Sequence, residues 1–144
     1  MNKNLLLIKE YDDIPQEAIS IREDVFVREQ GFQDEFDERD HHCMHIVVFD
    51  CHEPVATCRY FYKEGHYVLG RIAVIHSYRH LGIGTMMIQY IINHICDCDI
   101  VLHAQLQAVP FYEKLGFQAY GEVEYEEHCP HTWMKKVNNI KKVL

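Results

Sequence analysis

Apolar positions along the chain switch between a strand period and a helix period, and each switch marks an expected element. Asn4–Lys9 is a short apolar run that predicts a first strand. From Pro15 to about Gln30 the spacing becomes helical. Ile14, Ala18, Ile21 and Val25 share one face, and Arg22, Phe26 and Glu29 share the next. Pro15 suits a first helical turn, and Gly31 suits a stop. Residues 31–40 are polar and acidic with Phe32 and Phe36 interleaved, which predicts a loop folded over something. His45–Asp50, Val55–Lys63 and Tyr67–Val74 are β-rich runs separated by turn residues. Those connections are too short for a parallel crossover, so the three runs predict an antiparallel meander.

Beyond them, Thr85–Cys96 carries Ile88, Ile91, Ile92 and Ile95 at helical spacing. Asp99–His103 is an apolar strand reached through that helix, and is therefore expected parallel to the strand before it. Gln107–Leu115 predicts another helix, closed by Gly116. Phe117–Tyr125 and Thr132–Val137 are expected as two final antiparallel strands joined through Glu126–His131, with Asn138–Leu144 as a frayed tail. The order β-α-β-β-β-α-β-α-β-β describes an α/β sandwich around one mixed sheet, in which only the pair near 67–74 and 99–103 need be parallel.

Composition narrows the function class. A chain of 144 residues with 48% hydrophobic content is the size of one domain, 1–144, with enough apolar surface for a core. The net charge is −8, and residues 10–40 hold most of it, with twelve acids against three arginines. No basic stripe marks a nucleic-acid partner. The acidic block reads as a solvated face and loop, or as a field that attracts a cationic amine. The six cysteines lack the rhythm of a disulfide framework, and Met1–Lys9 lacks the pattern of a signal peptide. With no run long enough to cross a bilayer, the expectation is a cytoplasmic protein with reduced thiols and no membrane partner.

The candidate chemistry starts at the end of the third meander strand. Arg79-His80-Leu81-Gly82-Ile83-Gly84-Thr85 leads from a strand into a helix. The first N–H groups of a helix lack intrahelical partners and, with the helix dipole, form an anion site. Gly82 and Gly84 let an anion approach the backbone, and Arg79 adds charge. A Walker loop would need Gly-Lys-Ser/Thr, but Gly84 is followed by Thr85 and Met86; a dinucleotide fingerprint would need a third glycine where Met87 stands. Further along comes Phe111-Tyr112-Glu113-Lys114-Leu115-Gly116-Phe117.

With the strand through Ala73, the Arg79–Gly84 loop, its helix and the 111–117 segment, the chain resembles the GCN5-related N-acetyltransferases (GNAT). Val25-Phe26-Val27-Arg28-Glu29-Gln30, His103-Ala104-Gln105 and Pro130-His131-x-x-Met134 further resemble a bacterial subgroup related to the ElaA and YjcF proteins. The resemblance implies a GNAT acyl-CoA N-acyltransferase fold, a mixed and mostly antiparallel sheet with one splayed parallel pair and helices on both faces. It implies acetyl transfer from acetyl-coenzyme A to a primary amine by direct ternary-complex attack; a non-catalytic acyl-CoA-binding module of the same fold is the alternative. Pantetheine is expected along Ile72, Ala73 and Val74, like an added strand, and pyrophosphate on Arg79 and the N–H groups of His80, Leu81, Gly82, Ile83, Gly84 and Thr85. Gln105 stands where many members carry Asn and retains the amide for a pantetheine contact.

Further roles follow from the same resemblance. The Val74 N–H would stabilise the oxyanion, and Tyr112 would supply a proton to the departing thiolate. The base is open among Glu29, His103, Glu124 and His131, with Glu29 and His131 foremost, or the amine loses its proton through waters instead. Arg22, Phe26, Glu29 and His103 are expected to meet an acceptor that is a small amine or a peptide amine, Arg22 through a carboxylate or phosphate on it. Dimers are frequent in the family, so a homodimer is left open. The groups His41, His42, Cys43, His45 and His128, Cys129, His131 lack the spacing of a zinc site, and Cys96-Asp97-Cys98 is one residue short of a redox pair, so no metal is expected.

Overall fold

A computed structural model describes residues 5–95 and 97–138. The expected frayed tail beyond 138 lies outside them, as do the first residue of the first predicted strand and Cys96 at the end of a predicted helix. Seven strands are present: β1 (Leu6–Tyr11), β2 (Met44–Asp50), β3 (Glu53–Lys63), β4 (His66–Val74), β5 (Asp99–Gln105), β6 (Gln118–Glu126) and β7 (Cys129–Lys136). The helices are α1 (Gln16–Arg22), α2 (Ile83–His94) and α3 (Val109–Lys114). The strands hydrogen-bond in the order β1-β2-β3-β4-β5-β7-β6. Among the described residues only β4 and β5 are parallel, over His66↔Asp99 to Leu69↔Leu102, as the helical crossover requires.

The chain gathers into two compact units. One comprises the chain through Phe61 with Arg71–Ile88; the other comprises Tyr62–Gly70 with the chain from Gln89 onward. In the first unit, β1 pairs antiparallel with β2, and β2 with β3. Ala18, Ile21, Val25 and Phe26 pack with Val47, Phe49 and Ala73, so the apolar face read from the sequence is the face that is buried. The expected single helix over 15–30 changes character midway. After α1 the turns widen over Glu23–Glu29 into a π-helix, with the Gln30 N–H donating to the Val25 carbonyl at 3.1 Å. A wider turn rotates later side chains away from the phase that a period of 3.6 sets. Gly31 ends it with φ of 78°, a left-handed conformation that glycine adopts without cost.

In the second unit, β5 pairs antiparallel with β7, and β7 with β6. Ile100, Leu102, Ala104 and Met134 are buried. β6 and β7 form a hairpin longer than the sequence predicts, with only Glu127 and His128 between the strands and Glu127 in a left-handed turn at φ 54°. Glu126 and His131, expected in the connection, are strand residues, and this decides the chemistry of that surface.

Candidate active site

In the first unit, β4 leads through a turn at His76–Tyr78 into the segment 79–82 and then α2. His80 (φ 63°) and Gly82 (φ 82°) both take left-handed backbone, and the chain turns directly into the helix N-terminus. A left-handed turn leading into a helix N-terminus is a local geometry that suits an anion. Gly84 and Thr85 lie inside the first turn of α2. Ala73 is buried, and Ile72 and Val74 are half-buried.

Arg79 has definite partners. Its Nε donates to the Val74 carbonyl at 2.8 Å, and its Nη1 and Nη2 grip the two oxygens of Glu29 at 2.5 and 2.7 Å. The hydrogen bonds from Arg79 hold the Glu29 carboxyl below its ordinary range, with burial opposing. Three residues picked from sequence are therefore brought together: Glu29, Arg79 and Val74.

Arg22 sits elsewhere in the unit, 1% exposed, inside a network of charges. Its Nε donates to Glu35 at 2.8 Å, its Nη1 to Asp40 at 2.7 Å, and its Nη2 to the Glu35 carbonyl at 3.2 Å. Arg59 joins Asp37 and Asp40, and Arg71 joins Glu35. The acidic loop is thus folded over arginines of α1, β3 and β4. Burial pushes the Asp40 carboxyl up, but hydrogen bonds and charges from Arg22 and Arg59 more than offset it and set its pKa at about 2. Burial wins at Glu35, whose carboxyl lies above its ordinary range despite three arginines. Phe26 is buried in the apolar core and meets Phe32 edge-on at 6.3 Å. Sequence reading missed Glu35, Asp37, Asp40, Arg59 and Arg71 as one cluster; the only signal was a strongly acidic segment without an obvious counter-charge.

In the second unit, Gln105 ends β5, and its side-chain carbonyl accepts a hydrogen bond from Gln107. Tyr112 lies in α3, buried, with ring contacts to Phe111 at 5.0 Å and Phe117 at 6.1 Å. A second constellation spans three strands. His103 on β5 stacks on Trp133 of β7 at 4.6 Å and lies 4.9 Å from the ring of His131. Glu126 Oε2 is 3.0 Å from His103 Nδ1 and 3.0 Å from His131 Nε2. Glu124, the cross-strand neighbour of His131, places Oε2 3.6 Å from His103 Nε2. His103, His131 and Glu124 were candidates from sequence; Glu126 was not, because it was expected in a loop rather than on the strand face.

The sequence profile of the acetyltransferase (GNAT) domain matches residues 10–138. The chain belongs to the GNAT family. Among the relatives of this GNAT chain, the uncharacterized N-acetyltransferase YjcF of Bacillus subtilis (strain 168) is 37% identical over 127 residues, which cover 84% of this chain and 91% of YjcF. The crystal structure of Escherichia coli ElaA superposes with a TM-score of 0.79 at 24% identity, covering 91% of this chain and 99% of ElaA. An aminoglycoside 6'-N-acetyltransferase complexed with coenzyme A has the same fold, with a TM-score of 0.66 at 18% identity over 91% of this chain and 96% of that one. The GNAT protein is an acyltransferase, and acetyl-coenzyme A is its acyl donor. The turn at 79–82 fits that donor, since His80 and Gly82 take left-handed backbone directly before the N-terminus of α2. Among the described residues no helix is long and apolar enough to cross a membrane, and no group of His, Cys, Asp or Glu is arranged to hold a metal ion.

Proposed function

We infer that the protein is an N-acetyltransferase that moves the acetyl group of acetyl-coenzyme A directly onto a primary amine. The observation that carries the acceptor half is the cluster of His103, His131, Glu124 and Glu126. An ammonium must be attracted and then deprotonated before it can attack, and carboxylates beside imidazoles do both. YjcF, named as an N-acetyltransferase, supports the same acceptor class.

The donor half is assigned to the backbone and to two side chains. The N–H groups of His80 to Thr85 hold the pyrophosphate, with Arg79 alongside. Ile72, Ala73 and Val74 align pantetheine as an added strand, with Gln105 offering an amide. The Val74 N–H donates to the thioester oxygen as negative charge develops. Tyr112 gives a proton to the departing thiolate, and the proton lost from nitrogen as the amide forms restores it. The acetyl thioester supplies an activated carbonyl; the residues orient it and manage the charge. Arg22 is assigned to holding the acidic loop rather than to the acceptor, since its guanidinium is buried on Glu35 and Asp40.

Purified protein with acetyl-coenzyme A should release free thiol when supplied with members of a panel of polyamines, amino-sugars and peptide N-termini. Tight donor binding without amine-stimulated release from any of them would overturn the acceptor class. Tyr112→Phe should lower turnover on the order of 10²-fold while leaving donor affinity nearly unchanged; an unchanged rate would reduce Tyr112 to packing.

A further inference from the structure

Strand β4 carries one residue whose backbone is foreign to a strand. Arg71 has φ of 50°, and among the described residues it is the one non-glycine inside a strand that takes the left-handed region. The other five, Cys51, His52, Glu64, His80 and Glu127, lie in turns. An L residue resists that conformation because its Cβ crowds the following carbonyl. Gly70, one position earlier, could take it without cost and does not. A backbone of this kind persists only where its surroundings hold it.

The hold is the side chain. Arg71 Nε and Nη2 donate to the Glu35 carbonyl at 3.1 and 3.0 Å, and Nη2 also donates to Asp37 Oδ2 at 3.4 Å. Glu35 Oε2 adds an ion pair 3.0 Å from Nε. The anchor is itself fixed. The Glu35 carbonyl also accepts from Arg22 Nη2 at 3.2 Å, and Asp37 Oδ1 accepts from Arg59 Nη1 at 2.7 Å. Arg22 and Arg59 converge on Asp40 at 2.7 and 2.8 Å. A planar guanidinium that donates from two nitrogens into a locked loop is fixed in direction as well as in place. The acidic loop is thus a clamp on one residue of β4.

Ile72, Ala73 and Val74 come directly after the clamp. Ala73 packs in the core with Val47 and Phe49. The Val74 carbonyl accepts from Arg79 Nε at 2.8 Å, and the Ile75 N–H donates to the Val55 carbonyl at 3.0 Å. The three residues are tied at both ends by arginines, Arg71 on the acidic loop and Arg79 in the turn before α2. A left-handed residue inside a strand acts as a bulge and re-aims the residues that follow it, so the backbone of Arg71 sets where the next N–H groups point. Clamp, edge and turn all lie in the first unit.

We propose that Arg71 is a positioning residue for the donor: clamped by Glu35 and Asp37, it fixes the aim of the Ile72–Val74 edge on which pantetheine and the thioester oxygen bind. This rests on the donor assignment above. It gives the acidic loop a task beyond solvation or long-range attraction, and it places no part of Arg71 at the reacting atoms.

Coenzyme A and its nucleotide half, adenosine 3′-phosphate 5′-diphosphate, separate the two parts of the donor site. In proton–nitrogen spectra of the wild-type chain, the amides of Ile72, Ala73 and Val74 should shift with coenzyme A, and only those of 80–85 with the nucleotide half. Amides of 72–74 that stay unmoved by coenzyme A would overturn the donor assignment to that edge, and with it the task given to Arg71. By calorimetry, Arg71→Ala should weaken coenzyme A about 10-fold, the worth of one or two backbone hydrogen bonds, and leave the nucleotide half within about twofold. Arg71→Gly should recover part of that loss, because glycine takes left-handed backbone without a side chain to hold it, whereas in a regular strand glycine does worse than alanine. Should Arg71→Ala fail to fold, Arg71→Lys keeps the charge, loses the fork and carries the same comparison. Equal loss for both ligands, or loss for neither, in variants whose urea midpoints fall would make Arg71 a stabilising residue only. That result overturns the positioning role while the wild-type spectra leave the donor assignment standing.

Discussion

Arg79 links the donor loop to α1's widened continuation through one carboxylate, Glu29, and to the β4 end through the Val74 carbonyl. If pyrophosphate takes the same guanidinium, it competes with Glu29. Both side chains are partly exposed, 28% for Arg79 and 38% for Glu29, so the pair is worth only about 1 kcal/mol or less. Glu29→Gln should therefore tighten coenzyme A binding by up to about fivefold. Calorimetry that finds weaker binding would show that Glu29 helps to hold the donor rather than opposing it. Arg22 is a different case, because it is buried with its partners. Arg22→Ala would remove the cation that Glu35 and Asp40 share, leaving Arg71 on the one and Arg59 on the other, at a cost of about 3–5 kcal/mol, readable as a lower urea midpoint. Acid should erode the same network. The Asp40 pKa of about 2 lies below its ordinary 3.8, so its stabilisation is complete above about pH 4 and is lost as the pH falls toward 2. Glu35 acts in the opposite sense, since its raised value makes its charged form costly as the pH rises through its ordinary 4.5. Urea titrations of the wild type are expected to show stability falling below pH 4, and Asp40→Asn should reduce that loss.

Among the elements, the strand–turn–helix at β4 and α2 is the part of the site that depends on backbone shape. Gly82 sits at φ 82°, where a β-branched side chain is strained. Gly82→Val should weaken coenzyme A binding by more than 10-fold, as a backbone shift of a few tenths of an ångström misdirects the N–H groups; unchanged affinity would remove the loop from the donor site. The β6–β7 hairpin matters at its tip, where Glu124–Glu126 pair in register with Cys129–His131 beyond the irregularity between Tyr120 and Glu124. Because Glu126 and His131 lie on strands rather than in a loop, side chains two residues apart share a face, and Glu124 and Glu126 both reach His103. The π-helical turns over Glu23–Glu29 shift Phe26 into the core and leave Glu29 outward for Arg79.

Over the whole molecule, the alternation of short strands and periodic helices was enough to set the order of elements, the meander and the one parallel pair. Those features rest on local properties, namely side-chain periodicity, turn residues and the length of each connection. The strand–turn–helix at 79–85 was legible for the same reason: an arginine and two glycines between a strand and a helix specify a local backbone shape. The acidic stretch was not legible. Its counter-charges, Arg59 and Arg71, lie on β3 and β4, and only the folded chain brings them to Asp37, Asp40 and Glu35. The cluster of His103, His131, Glu124 and Glu126 was equally hidden, since only the pairing of β5, β7 and β6 brings it together. His103 and His131 look equivalent in the sequence, and the strand register sets His131 beside the Cys129 carbonyl and Glu126, and His103 beside Glu126 and Glu124. Local chemistry thus determined the strand–turn–helix at 79–85 from sequence, while the charged cluster and the histidine cluster were decided by tertiary structure, because they are assembled across strands by contacts that no spacing encodes.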